Sequence, residues 1–268
     1  MSRGCWAKAF LAAPLLACLV PHAATQEMFR HLDLKSDDFT KADMTRAEIE
    51  AALAGADPNT VVDLSAKRLN GLDLSNLDLR RVKLQSARLN RAKLAGANLD
   101  GVRLDQAWAL DADLTGASLH GASLFATQLM GAKLDGADLT GARIAGDLSR
   151  ASMQRARLDR ADLSADMRNQ SMGLMRGVLR SAKLDGASLE GANLSRAVLE
   201  FASLRDASLK GAKLNGSELG GADFLGADVT NADFENADVT STRLIGLRGR
   251  DKARNLDRVR NLDRALND

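Results

Sequence analysis

Residues 112–141 read ADLTGASLHGASLFATQLMGAKLDGADLTG, and a leucine stands at every fifth position of this stretch. The same spacing runs from Leu64 to Ile144, from Leu148 to Leu163 and from Leu174 to Leu244, which gives 36 apolar centres, 29 of them leucine. Two positions before the centre, 24 of the 36 residues are alanine. A period of five residues therefore organises most of the chain.

This period excludes both a long helix and a long strand. Five residues turn an α-helix by about 500°, so successive leucines would scatter around it, and inward positions of a strand recur every two residues. The chain must instead turn a corner once per pentad, with alanine and leucine pointing inward each time. Four pentads then make one square coil, and such coils stack into an all-β solenoid.

Segments 97–101 (ANLDG), 137–141 (ADLTG) and 192–196 (ANLSR) resemble the A-(D/N)-L-x-x unit of the pentapeptide repeat family. The resemblance covers roughly residues 61–246. It implies a right-handed quadrilateral β-helix, and 36 pentads would make nine coils. At about 4.8 Å between stacked strands, the rod would be roughly 40 Å long.

The N-terminus has the pattern of a bacterial secretory signal over residues 1–24. Arg3 and Lys8 precede an apolar run at 9–20, which is too short to span a bilayer. This predicts a secreted or periplasmic protein, and the alternative is a membrane-anchored lipoprotein lipidated at Cys18. The only other cysteine is Cys5, so a mature chain would have no disulfide.

Short helical caps are predicted at both ends of the solenoid, because open strand edges template aggregation unless they are covered. Residues 25–60 form an N-terminal capping segment, in which the capping box from Thr45 to Glu48 predicts a helix near 45–54. At 247–268, apolar residues recur at three- or four-residue spacing, which predicts an amphipathic capping helix.

The repeat changes register once. Ile144 and Leu148 are four residues apart, whereas Leu163 and Leu174 are eleven apart, so the five-residue register is restored. Residues 164–173 are therefore expected to leave the wall as a loop. A loop on a rigid scaffold can carry function, and the alternative is a tolerated insertion.

No catalytic, metal-binding or cofactor-binding motif is present in the sequence. The histidines are His22, His31 and His120, which form no metal-ligand or general-base cluster. Removal of residues 1–24 leaves 35 basic and 35 acidic residues, so the mature chain is formally neutral. These features predict a protein that is not an enzyme and has no cofactor, metal or small-molecule substrate.

Two surface features exceed the polar background. Residues 67–103 hold nine basic and three acidic residues, whereas residues 214–242 hold six acids and no base. This difference predicts either a solenoid with a positive early section and a negative late section or chance variation among solvated positions. The candidate basic section consists of Arg80, Arg81, Lys83, Arg88 and Arg91.

The second feature is a candidate interaction patch formed by Trp108, Leu110, Phe125 and Met130, all at positions predicted to face outward. The alternative is that Trp108 folds over a core thinned by Ala109.

The sequence therefore favours a non-catalytic, exported scaffold that presents rigid β-helix faces to a macromolecular partner. The partner is predicted to be a protein, because the neutral charge disfavours nucleic acid. A homodimer is a further option. The family resemblance implies an alternative, a DNA-mimicking binder of a topoisomerase such as DNA gyrase. A neutral chain with a signal peptide disfavours that role, because duplex DNA carries one negative charge per roughly 1.7 Å.

Overall fold

The computed structural model of the protein describes residues 32–167 and 175–267. Contacts divide the chain into a first unit at residues 1–34, of which only 32–34 are described, and a second unit at residues 35–268, which holds the solenoid. The predicted signal peptide, Cys18, His22, His31, Leu174 and most of the predicted loop lie outside the described residues.

The solenoid wall consists of four rows of parallel β-bridges, and neighbours in a row are mostly twenty residues apart. Face 1 begins with Arg68, Arg88 and Trp108, face 2 with Asp73, Lys93 and Asp113, face 3 with Asp78, Asn98 and Ser118, and face 4 with Asp63, Lys83, Arg103 and Ser123. The four rows give the wall four sides, and each coil stacks on the one before it.

Most sides of the coil contribute a single bridging residue because a corner follows almost at once. Longer pairing occurs only near the ends of the described solenoid, where β1 (Val62–Asp63) pairs with β2 (Val82–Lys83) and β3 (Arg243–Leu244) pairs with β4 (Leu266–Asn267). Both pairs are parallel.

The core is the column of leucine and alanine side chains that the repeat predicts. Leu134, Leu139 and Leu189 are fully buried, and so are the alanines that precede such centres. The backbone is hydrogen-bonded between coils: Leu139 N–H donates to Arg157 O at 2.7 Å, and Asp138 N–H donates to Ala117 O at 2.9 Å. Apolar burial and backbone pairing therefore repeat together at every step of the coil.

Outward acidic residues hold the corners. Asp113 Oδ1 accepts hydrogen bonds from Thr115 N–H at 3.1 Å and from Thr115 Oγ1 at 2.6 Å, and the same Asx-turn recurs on all four faces. A second arrangement joins adjacent coils, since Asp135 Oδ1 accepts from Ser152 Oγ at 2.6 Å and from Gln154 N–H at 2.8 Å. These carboxylates have a structural role.

The corner carboxylates predict acid destabilisation. The Arg80 side chain holds the pKa of Asp78 at about 2, and the Ser75 hydroxyl and amide lower the pKa of Asp73 below its ordinary 3.8. A carboxyl group with a lowered folded pKa contributes stability above its unfolded pKa and loses it as pH falls through the folded value. We expect the melting temperature to fall as pH drops from 3.8 towards about 2. Asp78→Asn should reduce this dependence, and a melting temperature constant over that range would contradict the assignment.

The change of register is visible in the bridges. Gln128 pairs with Asp147, one residue short of the usual spacing, and the chain passes from Asp162 on face 4 to Val178 on face 1. Two close approaches need glycine: a Cβ on Gly146 would lie 2.4 Å from Thr127 O, and one on Gly177 would lie 2.9 Å from Leu163 Cβ. Gly177 N–H donates to Leu163 O at 2.9 Å, and residues 164–167, 175 and 176, the described part of this insertion, contribute no bridge to the wall.

Two helices cover the first coils. α1 (Asp37–Thr40) is short, and α2 (Arg46–Gly55) carries the predicted capping box between Thr45 and Glu48. Ile49 of α2 is fully buried against the end of the core. No helix among the described residues is long and apolar enough to cross a lipid bilayer.

The C-terminal segment is a further coil, so the prediction of one amphipathic helix at 247–268 is wrong. Its rungs are Asp228–Arg248, Asp233–Arg254, Asp238–Arg260 and Arg243–Leu266, spaced by six residues in this segment. Each side of this coil has six residues instead of five, and its corner contains a 3₁₀ turn, at Arg250–Lys252, Leu256–Arg258 and Leu262–Arg264.

In this segment, backbone hydrogen bonds to the preceding coil form in place of helical hydrogen bonds. Arg254 N–H donates to Ala232 O at 2.7 Å and Arg260 N–H donates to Ala237 O at 2.8 Å, so these amides are unavailable for helical bonds. Leu256 and Leu262, which suggested the helix, pack partly buried against the core. The segment covers the core end, as predicted, with a different local structure.

Candidate interaction surfaces

Leucine and alanine side chains fill the interior of the described solenoid. Among residues 32–167 and 175–267, no group of three His, Cys, Asp or Glu side chains is arranged to hold a metal ion. The candidate residues predicted from the sequence lie on the outer surface or at the corners of the coil.

Trp108 of the candidate interaction patch is covered by the N-terminal segment. It occupies the outward row of face 1, between Arg88 and Gln128, while Ala109 keeps its core position. Its ring meets Phe39 of α1 edge-on, with 5.3 Å between centroids and an interplanar angle of 77°. Phe39 is buried and also lies 5.3 Å from the Arg88 guanidinium carbon. The aromatic side chain thus serves an intramolecular contact.

We expect Phe39→Ala to loosen the N-terminal segment. Removing a buried phenylalanine side chain costs about 3–5 kcal/mol, and here the loss is local because α1 is short. Hydrogen exchange should accelerate across Asp37–Gly55 and stay unchanged in the repeats. The matched control is Phe201→Ala, which removes the same atoms from a ring that is 63% exposed. Equal exchange in both variants would show that Phe39 does not hold this segment.

Leu110 and Met130 lie half-buried on the corner between faces 1 and 2, and each follows the core residue of its side. The positions before them in this corner row are Asn70 and Asn90, which are buried. Asn90 Nδ2 donates to Asn70 Oδ1 at 2.9 Å, and Asn90 Oδ1 accepts from Leu110 N–H at 3.0 Å. Leu110 therefore continues a ladder of side-chain amide hydrogen bonds that runs through Asn70 and Asn90 at this corner.

Phe125 lies on a different corner, between faces 4 and 1, and lines an open groove of about 420 Å³. The Arg143 guanidinium carbon lies 5.4 Å from the centre of its ring. The Phe125 groove is lined by Gln85, Arg103, Asp105, Gln106, Ser123, Phe125, Arg143 and Asp166. The structure therefore separates Phe125 from Leu110 and Met130, and the four residues do not form one exposed patch.

The candidate basic section is also divided. Arg88 pairs with Asp38 at 3.1 Å, and Arg81 donates to the carbonyl oxygens of Asp57 and Leu53. Both residues hold the N-terminal segment. Arg80 pairs with Asp78 at 2.6 Å, whereas Lys83 lies on face 4, 3.8 Å from Asp63. Arg91 occupies a left-handed corner with a φ of 57°. No single cationic surface results.

Acidic residues of the late section pair with bases one or two coils away. Its ion pairs are Arg176–Glu218, Arg243–Asp223, Lys210–Asp228, Arg254–Asp233 and Arg260–Asp238, at 2.9 to 3.9 Å. Residues twenty or more positions apart are neighbours in a solenoid, so these ion pairs reduce the charge difference that the sequence suggests, and the uneven charge along the solenoid stays a prediction.

The family follows from the same repeat. A model of pentapeptide repeats matches this chain with eight copies, over residues 73–107, 110–146, 178–211 and 202–240, which together make up half of its length. The chain is a pentapeptide repeat protein. Its solved relatives include HetL of the cyanobacterium Nostoc sp. strain PCC 7120, a protein involved in regulating heterocyst differentiation.

HetL is 29% identical, with 76% of this chain and 90% of HetL covered and a TM-score of 0.45. A trypsin-treated variant of QnrB1, a plasmid-mediated fluoroquinolone resistance protein, is 17% identical, with 78% and 92% covered and a TM-score of 0.48. A pentapeptide repeat protein of the Arabidopsis thaliana thylakoid lumen is 22% identical, with 61% and 68% covered and a TM-score of 0.16. No curated protein sequence matches the chain significantly.

Phe201 of this pentapeptide repeat protein is an exposed aromatic residue that the repeat pattern alone does not single out. Phe201 is 63% exposed and sits at a left-handed corner with a φ of 58°, where a bulky residue is strained. Its ring lies over Gly221 of the next coil, where a Cβ would be 2.6 Å from Phe201 Cδ1. The available signal was an aromatic residue at a pentad position that glycine usually occupies.

Proposed function

We propose that this protein is a non-catalytic scaffold, exported to the bacterial periplasm or secreted, that binds a protein partner with the outer surface of a right-handed quadrilateral β-helix. The observation that carries this proposal is the filled core: leucine and alanine occupy the interior along the described solenoid. The wall is fixed by backbone pairing on every side, so the backbone positions that carry exposed side chains such as Phe201 are held in place. Rigid presentation lowers the ordering cost of binding.

Site-specific photo-crosslinking in living cells tests the interaction. A photoreactive residue at Gln106, on the rim of the Phe125 groove, or at Phe201 should give a discrete protein adduct. The same residue at Lys213, an exposed position elsewhere on face 4, is the control. Adducts at neither test position, or the same adducts at Lys213, would contradict a specific interaction.

Localisation is tested by fractionating cells that express a C-terminally tagged copy. The proposal predicts a shortened chain in the periplasm or medium, and lipidation at Cys18 would place it in the membrane fraction instead. A full-length cytoplasmic chain would contradict export. Inhibition of DNA gyrase in a supercoiling assay would instead support the topoisomerase-binding role.

A further inference from the structure

The Phe125 groove carries two arginines on the same face of the solenoid. On face 4, Arg103, Ser123 and Arg143 occupy consecutive rungs, so the two arginines stand two coil steps apart, about 10 Å. Phe125 follows Ser123 at the next corner and contributes an aromatic ring to the lining, 5.4 Å from the Arg143 guanidinium carbon. Gln85 and Gln106 add amide donors and acceptors at the same end as Arg103.

The acidic side chains that line the groove are mostly buried, whereas the arginine side chains that pair with them are exposed. Asp105 pairs with Arg103 at 3.3 Å, but their side chains are 16% and 61% exposed. Asp166 pairs with Arg143 at 3.1 Å, and their side chains are 12% and 47% exposed. A partner approaching the groove therefore meets cationic guanidinium groups although the groove is nearly neutral in composition.

These acidic side chains have partners that fix them in place. Asp105 Oδ1 accepts from Phe125 N–H at 3.1 Å and from Ser123 Oγ, so it anchors the corner that carries the phenylalanine. Arg143 is held between the Phe125 ring and Asp166. Both arginines are thus oriented before a ligand binds, and their remaining donors are available for bidentate contacts to carboxylates.

We propose that the Phe125 groove binds an acidic segment of a protein partner, with two carboxylates on Arg103 and Arg143 and an apolar side chain against Phe125. This rests on the proposed role as a protein-binding scaffold and specifies the chemistry of the partner. A peptide fits better than a nucleic acid, which requires a continuous run of cations along its backbone. Here the cations are interrupted by Ser123, and the next rung on face 4 is Asp162.

The test uses the full-length protein and fluorescence anisotropy with a labelled peptide, Glu-Asp-Leu-Glu-Asp-Leu-Glu. A second peptide with lysine in place of each acid and a labelled oligothymidine are the comparison probes. We expect saturable binding of the acidic peptide alone, weakened by added salt. Arg103→Ala and Arg143→Gln should each weaken it about tenfold, which corresponds to about 1.4 kcal/mol, since each removes a charge-assisted hydrogen bond to the peptide. Phe125→Ala should weaken it as well.

Lys213→Ala is the matched control, because it removes a base from face 4 outside the groove. Arg103→Ala controls for a folding artefact at Arg143, since Arg103 pairs with Asp105 whereas Arg143 pairs with Asp166. The proposal is overturned by no saturable binding of the acidic peptide, by an equal loss in Lys213→Ala, or by tighter binding of oligothymidine. If the peptide fails while crosslinking at Phe201 gives an adduct, the scaffold role stands and this groove assignment falls.

Discussion

Leu194→Asp is expected to abolish the single cooperative unfolding transition of the solenoid. Leu194 is fully buried on face 4, and an aspartate there would place a carboxylate in a column of leucine and alanine. Losing the leucine costs about 1.5–3 kcal/mol of apolar burial, and desolvating an unpaired charge costs several kcal/mol more. Since domains are stable by only about 5–15 kcal/mol, the coils around residue 194 should unfold. Circular dichroism during thermal and urea unfolding measures the effect.

The adjacent residue provides the control for this prediction. Asn193→Asp introduces the same side chain one position earlier, where it points outward and can keep the hydrogen bonds that Asn193 Oδ1 accepts from Ser195. Lys213 on the next rung offsets the new charge. We expect a change within about 0.5 kcal/mol. Similar unfolding curves for both variants would show that residue 194 does not face a packed interior.

Phe234→Ala is expected to cost about 3–5 kcal/mol of the free energy of unfolding. Phe224 and Phe234 lie on opposite sides of one coil, both fully buried, with ring centroids 6.4 Å apart. The other two sides of this coil carry Val229 and Val239 in place of leucine. Two large and two small side chains thus fill the volume that four leucines fill elsewhere, and truncating one ring leaves a cavity.

A variant with four substitutions tests whether stability depends on the total side-chain volume inside this coil or on the residues that supply it. The variant with Phe224→Leu, Val229→Leu, Phe234→Leu and Val239→Leu restores the usual coil at similar total volume. It should lie within about 1.5 kcal/mol of the parent, because volume-conserving core exchanges are tolerated. Urea unfolding of both variants decides the matter. A fourfold variant as unstable as Phe234→Ala would contradict the packing argument.

The sequence alone predicts the interior of this protein because the interior is periodic. One alanine and one leucine per pentad determine both the corner and the buried side chain, as at Ala137 and Leu139. The helix at Arg46–Gly55 was predictable for a similar reason, since a capping box is a local pattern.

The surface could not be predicted in the same way. Phe39 and Trp108 meet across 69 positions of sequence, and no periodic signal brings them together. The late acids were counted as a charged region because their partners, such as Arg254 and Arg260, lie on the following coil. The C-terminal coil has the sequence pattern of a helix because Leu256, Val259, Leu262 and Leu266 recur at intervals of three or four residues, which also suit one face of a helix.

Cysteine accessibility tests the central claim, that two of every five residues face a packed interior, most directly. In a background with Cys5→Ser and Cys18→Ser, the chain has no other cysteine, so single cysteines at positions 207 to 210 can be labelled with a maleimide. Ala207→Cys and Leu209→Cys should resist labelling until the protein is denatured, because both positions are fully buried. Ser208→Cys and Lys210→Cys should react in the native state. Equal native reactivity at all four positions would contradict the stacked, filled coil on which the proposed function depends.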